Sequence, residues 1–309
     1  MDRQKRRKGH PKTTLNKRCA LMASIILIAL CSAAIISHSL RYSTIEPQTL
    51  GDLLDLPEDK LERVDIARMN LLCATGLPNS DNIRLNDYLR TLDKWGEVAK
   101  KAEEQYLPTY YRNPAKYENS LSKFKAITLA LTIQEDLKCG YNMDLVYSGA
   151  MQDWKSTRFF TDSRDLFLHG LVEQQKGTCA SLPFLVVALG RRCGYPLYLV
   201  SSKGHLFCRW QDPKETFNLE VSGRGVDIFP DSHYLKYPLP FTEAERLDEK
   251  YLKTHTPTEE LGLLMNTRAF CLKANGLNKQ GVDAYEKSLR GFPNSKLTRA
   301  YINDLKGRF

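Results

Sequence analysis

The sequence predicts an α+β fold: a helical front half, a core in which one helix packs on an antiparallel sheet, and helices again at the C-terminal end. Three observations predict it. Apolar residues recur at helical spacing through residues 57–148, three short β-branched and aromatic runs follow one apolar helix between 179 and 221, and the last 50 residues return to helical periodicity. At 309 residues the chain is long enough for one sizeable core plus an appendage.

The charge is unevenly spread. Of the net +9, residues 1–18 contribute +7, leaving +2 for the other 291 residues. A nearly neutral body argues against a nucleic-acid surface, and no nucleic-acid partner is expected. The basic tail, residues 1–18, runs into residues 19–37, 19 residues without a charge (CALMASIILIALCSAAIIS). That length crosses a bilayer core as a helix, and the charge asymmetry puts the N-terminus in the cytoplasm and the bulk of the chain outside, periplasmic or at the cell surface. A cleaved signal peptide has a shorter apolar run, and its candidate site, Ser32-Ala33-Ala34, lies within this one. Leu30 stands where a lipoprotein site at Cys31 needs a small residue. The segment is therefore read as an uncleaved anchor, with the membrane as a partner and residues 38–56, containing Pro47, as a tether.

In the helical part, 57–148, Pro57 opens a helix carrying Val64, Ala67, Leu71 and Ala74, stopped by Gly76 and Pro78. A second carries Leu85, Tyr88, Leu92, Trp95, Ala99, Ala102 and Tyr106, and Pro108 is expected to end it. A third runs through Leu121, Phe124, Ile127 and Leu131 to Cys139-Gly140. Stripes of this kind are core faces rather than cofactor sites.

In the core, 149–240, Cys179 is expected at the front of an apolar helix with Leu182, Leu185, Val186 and Leu189 on one face. Arg191-Arg192 fall in its last turn, and Gly194 and Pro196 close it. Strands follow at Pro196–Ser201, His205–Trp210 and Thr216–Val221. Period two puts His205, Phe207 and Arg209 on one face of the second strand and Leu206, Cys208 and Trp210 on the other. In 241–309, helices at Leu261–Ala274 and Lys279–Leu289 flank Gly276-Leu277-Asn278, and a last amphipathic piece carries Leu297, Tyr301 and Leu305. Small Ala269, Gly281 and Ser288, Tyr285 and Pro293 fit one tetratricopeptide unit, which lacks the usual early Trp. One such unit must dock on the core or on a protein partner.

Cys179, His205 and Glu220 occur in the order of a thiol nucleophile, its base and the acid that orients the base. A helix N-terminus favours a thiolate through its partial positive charge and unpaired N–H groups. The Cys179 N–H would serve a developing oxyanion, with Gln174 or Gln175 as a second donor. Taken singly, each residue has a plainer explanation: a buried small hydrophobe, a satisfied strand histidine, a solvated charge. Their order on one helix and two strands is what packing alone does not call for. Cys179, Cys193, His205, Cys208 and His233 are close in sequence, yet no Cys-x-x-Cys or His-x-x-x-His spacing supports a metal, and no metal or cofactor is expected. Six cysteines beyond the apolar segment do not make a disulfide scaffold.

The stretch from Lys176 to Tyr234 resembles the transglutaminase-like superfamily of the papain-like fold, in the bacterial branch whose core precedes tetratricopeptide repeats. The residues that carry the resemblance are Gly177-Thr178-Cys179, Arg192-Cys193-Gly194-Tyr195-Pro196, Gly204-His205-Leu206-Phe207 and Phe217-Asn218-Leu219-Glu220, with Val64–Pro78 and the terminal helices also similar. The resemblance implies a catalytic triad of Cys179, His205 and Glu220, with Glu in place of the more usual Asp and Lys203 two residues before the base. It further implies acyl hydrolysis or transfer on an amide or isopeptide carbonyl of a protein or peptide substrate. A catalytically inactive scaffold that engages a partner through the C-terminal helices is the alternative.

Overall fold

The computed structural model describes residues 44–147, 157–223 and 225–307. The basic tail and the anchor, 1–18 and 19–37, lie outside them, and among the described residues no helix is long and apolar enough to cross a membrane. Residues 45–56, expected at the end of the tether, instead pack on the domain. Ile45 N–H donates to Arg63 O at 3.0 Å, a Thr49/Asp52 capping box starts the helix Leu50–Leu54, and Leu53 is fully buried.

The helix expected from Pro57 divides in two. A single turn, Glu58–Leu61, is separated from α1 (Ile66–Ala74) because the Asp65 carboxylate accepts from Ala67 N–H at 2.9 Å and starts a new helix there. Every residue of α1 is buried, so this is a central helix and not a surface one with a single apolar stripe. Helix α2 (Leu85–Arg112) runs through Pro108 instead of stopping at it. An interior proline costs about 3 kcal/mol. The last turn recovers this by packing: Tyr110 lies 5.4 Å from Phe124 and donates to Asn119 O at 3.2 Å, within a ring cluster that includes Tyr117. Helix α3 (Leu121–Leu131) is capped by Ser120 and continues as a π-turn, Thr132–Asp136.

Two short parallel strands, β1 (Gly140–Tyr141) and β2 (Lys176–Gly177), pair next to α4 (Leu182–Arg192). Helix α4 is buried from Leu182 to Gly190 on all sides, where the sequence predicts one buried face. It lies between α1, α2 and α3 and a three-stranded antiparallel sheet, β3 (Leu197–Ser202), β4 (His205–Gln211) and β5 (Thr216–Leu219), in the order β3-β4-β5. The period-two assignment for β4 matches the structure. Cys208 donates to Pro183 O of α4 at 3.4 Å, whereas Phe207 stacks at 3.7 Å on Tyr234 across the opposite face.

The C-terminal segment is helical, as predicted: α5 (Pro257–Ala274), α6 (Asn278–Ser288) and α7 (Lys296–Lys306). It docks on the core. Met265 Sδ lies 3.9 Å from Cys73 Sγ, Arg268 donates to Cys73 O and Thr75 O at 2.8 and 2.7 Å, and Arg191 pairs with the buried Glu260. A buried polar group joins this segment to the sheet. His255 Nε2 is 2.8 Å from Ser201 Oγ on β3, its Nδ1 is 3.6 Å from Glu259, and Lys250 and Lys253 reach Glu259 at 2.6 and 2.9 Å.

Burial by itself would raise the Glu259 carboxyl, but the nearby His255 ring and the bonds from Lys250, Lys253 and the Thr256 N–H together hold it far below the usual carboxylate range. A depressed carboxyl contributes stability above its unfolded pKa, near 4.3, and loses it as the pH falls. Glu259→Gln is therefore expected to cost about 2–4 kcal/mol in urea unfolding at pH 7, with the gap to the parent narrowing as the pH falls below about 4.

Candidate active site

The turn that carries Cys179 is built by its neighbours. Gly177 leaves no room for a side chain: a Cβ there would stand 2.6 Å from Ser181 Oγ and 2.8 Å from Leu171 Cδ2. Thr178 and Ser181, both fully buried, each donate a hydroxyl to Asp165 O, at 2.8 and 2.9 Å. Thr178 N–H donates to Ser181 Oγ at 3.0 Å, and Ala180 N–H donates to Thr178 Oγ1 at 3.1 Å. Thr178 O in turn accepts from the N–H groups of Ser181 and Leu182, at 3.1 and 2.9 Å. Cys179 is thus held from both sides in the turn entering α4, three residues before the helix proper, and stays half-buried.

His205 begins β4 after the two-residue turn Lys203-Gly204. Its Nε2 lies 2.7 Å from Glu220 Oε2, and the Cys179 side chain is close enough to act electrostatically on the same imidazole. Glu220 follows β5, where its backbone exchanges hydrogen bonds with Asp227 at 2.8 and 3.2 Å. Its second oxygen, Oε1, accepts from Val221 N–H at 3.1 Å and Ser222 N–H at 2.9 Å. Tyr234 and Tyr237 flank the imidazole, with ring centroids at 6.3 and 5.5 Å.

Electrostatics follow from this packing. Burial opposes a charge on His205, but the neighbouring Cys179 side chain and the bonded Glu220 outweigh burial and push the imidazole up to about 9. Burial also works against the Glu220 carboxylate, and the bonds from His205 and Ser222 hold it below its ordinary value nonetheless. Burial pushes Cys73, Cys139 and Cys271 up to about 12 and Cys193 up to about 11, and Cys208 well above an ordinary thiol.

The structure thus brings Cys179, His205 and Glu220 together, with His205 and Glu220 joined by a hydrogen bond and Cys179 beside the imidazole. Gln174 and Gln175, the expected second oxyanion donors, are exposed, and Gln175 Nε2 donates to Val172 O at 3.4 Å. The left-handed backbone at Gln175, which ends the preceding helix, turns its side chain away from the site. Tyr141 instead lies beside the thiol, because β1 pairs it with Gly177 next to the turn. Burial, together with Cys179, raises the phenol far above its usual range. No motif in the sequence marks Tyr141, since only the β1–β2 pairing brings it near a cysteine 38 residues on. Lys203 is taken up by Glu245, 2.5 Å away.

Helix, turn and sheet together have the character of a cysteine-protease-like fold. Residues 146–264 match the family model of the Transglutaminase-like superfamily, a span that contains Cys179, His205 and Glu220 and begins after Tyr141. No curated protein and no solved structure matches the chain.

A histidine raised from its ordinary value to about 9 contributes stability that is complete below about pH 6.5 and is lost as the pH climbs through 9. Glu220→Gln removes the carboxylate partner. In calorimetry the variant is expected to be less stable than the parent by about 2 kcal/mol near pH 6.5, the gap closing above about pH 9. A gap of constant size from pH 6 to pH 10 would show that Glu220 does not hold the His205 proton.

Proposed function

We propose that this protein is an acyl hydrolase or acyltransferase acting on amide or isopeptide carbonyls of a protein or peptide, with Cys179 as nucleophile, His205 as proton carrier and Glu220 as the acid that orients the imidazole. The observation that carries this reading is a single imidazole hydrogen-bonded at 2.7 Å to a half-buried carboxylate, with a half-buried thiol beside the same ring. At neutral pH an imidazole with a pKa near 9 is protonated. With the thiol's own proton carried by His205, the Cys179 sulfur bonds to the carbonyl carbon, the C=O electron pair moves to oxygen beside the Cys179 N–H, and collapse re-forms C=O and expels the amine with that His205 proton. Water or a second amine, deprotonated by His205, then attacks the thioester and releases the thiol. Glu220 stays ionised and keeps the ring in register.

We also read residues 19–37 as a membrane anchor with the domain outside the cytoplasm, supported by the uncharged 19-residue run behind a +7 tail. Protease added to intact cells is then expected to remove the domain, while a domain that survives until lysis would place it inside. The helices 257–306 are read as one tetratricopeptide-like unit of the branch with C-terminal repeats, and its outer face as the place for a partner. Its inner face is taken up by the core, so deleting 260–309 would strip Cys73 and Arg191 of their contacts and disrupt the domain along with any partner surface.

Iodoacetamide at pH 7 tests the nucleophile. Cys179→Ala is expected to abolish rapid labelling and Cys193→Ala to leave it unchanged, since burial keeps the Cys193 thiol protonated. Parent-like labelling of both variants would end the enzymatic reading.

A further inference from the structure

We propose that Gln134 is a positioning residue for the Glu220–His205 pair, acting through the loop whose backbone N–H groups hold the Glu220 carboxylate; this rests on the reading of Cys179, His205 and Glu220 as a catalytic triad.

The argument begins with the loop. Glu220 Oε1 is fixed by Val221 N–H and Ser222 N–H, so the direction of the carboxylate depends on how the chain turns just after it. The Glu220–Asp227 bridge closes the base of this loop. Its tip contains Gly223 and Gly225, the latter at φ +84, where the backbone has the greatest freedom and neither glycine has a side chain to pack. The sheet does not hold that tip. The Gln134 carboxamide does: its Oε1 accepts from Gly225 N–H at 2.8 Å, and its Nε2 donates to Gly225 O at 2.8 Å and Gly223 O at 3.4 Å. The amide pairs with both backbone groups of one residue, as a neighbouring strand would.

Gln134 reaches the loop because α3 ends in a π-turn. Leu137 N–H bonds to Thr132 O at 3.0 Å, one residue wider than an α-turn, and Ile133 remains buried while Gln134 is half-exposed toward the loop. Single π-turns of this sort occur often at functional sites. The placement is specific, since the residues it links are about 90 apart in the chain.

Without the amide, the tip is free to move, the two N–H donors lose a fixed aim, and the carboxylate is no longer held in line with His205. The groups that face the imidazole are Glu220 after β5, the Cys179 side chain from the turn before α4, and the phenols Tyr234 and Tyr237. Only Glu220 is reached by the loop's N–H groups.

The test uses the full chain with labelled histidine, following His205 by NMR through a pH titration. Gln134→Met keeps the volume and removes both hydrogen bonds. Gln134→Glu keeps the acceptor toward Gly225 N–H alone. In the Met variant the protonated fraction of His205 at pH 9 is expected to fall about fivefold, the effect of a titration midpoint lower by about one pH unit. The Glu variant should fall between it and the parent, and the His169 and His255 resonances should keep their parent shifts. A merely structural role would lower the melting temperature and disturb all three histidines together. Parent-like titration of His205 in both variants would overturn the proposal. The pH profile of Cys179 alkylation separates the two readings: His205 shifting while alkylation stays flat with pH in every variant keeps the positioning role and removes the nucleophile.

Discussion

Helix α4 is buried on every side, and this burial decides where the reactive thiol stands. A helix surrounded by α1, α2, α3 and the sheet cannot carry an accessible side chain anywhere along Leu182–Gly190. The chain reaches solvent in the turn before that stretch and again from Arg191 on. The hydroxyls of Thr178 and Ser181, tied to Asp165 O, hold that first turn so that Cys179 emerges near the start of β4. Stability and reactivity therefore draw on the same packing, because burial of the helix fixes the approach of sulfur to imidazole.

Several polar groups within this apolar frame come in closed sets. His205 and Glu220 satisfy each other, and the remaining carboxylate oxygen is met by two backbone N–H groups. Arg209, on the same face of β4 as His205, donates to Asn218 at 2.7 Å, Asp231 at 2.5 Å and Leu252 O at 3.1 Å. That set ties the chain around Asp231–Tyr234 to the sheet, and Tyr234 then backs both Phe207 and the Glu220 carboxylate. A half-satisfied network here would cost more than an apolar replacement. Its completeness accounts for so much charge being tolerated under the sheet.

Much of this was legible in the sequence where the signal was local. The alternation in 196–221, the turns at Lys203-Gly204 and Asp212-Pro213, and the order of Cys179, His205 and Glu220 needed only neighbours to interpret. The errors came where distant contacts overrode local preference. Pro108 reads as a stop, yet the Tyr110–Phe124 packing carries the helix beyond it. Gln174 and Gln175 stand out as upstream donors, while Tyr141 comes beside the thiol only because two very short strands pair. Asp65 starts a helix in the middle of a run that looks continuous. Gln134 and Arg209 carry no motif at all, and their roles exist only once segments far apart in sequence have met.

The docking of the C-terminal helices has a consequence for synthesis. Helix α1 is covered by residues translated some 190 positions later, through the Cys73–Met265 contact and the two bonds from Arg268. While a ribosome still holds those residues, α1 presents an open apolar wall and Glu260 is not yet there to neutralise Arg191. The packing of α1 is therefore completed only after 257–306 have left the ribosome, later than the thiol turn, whose contacts with Asp165, His205 and Glu220 all lie earlier in the chain.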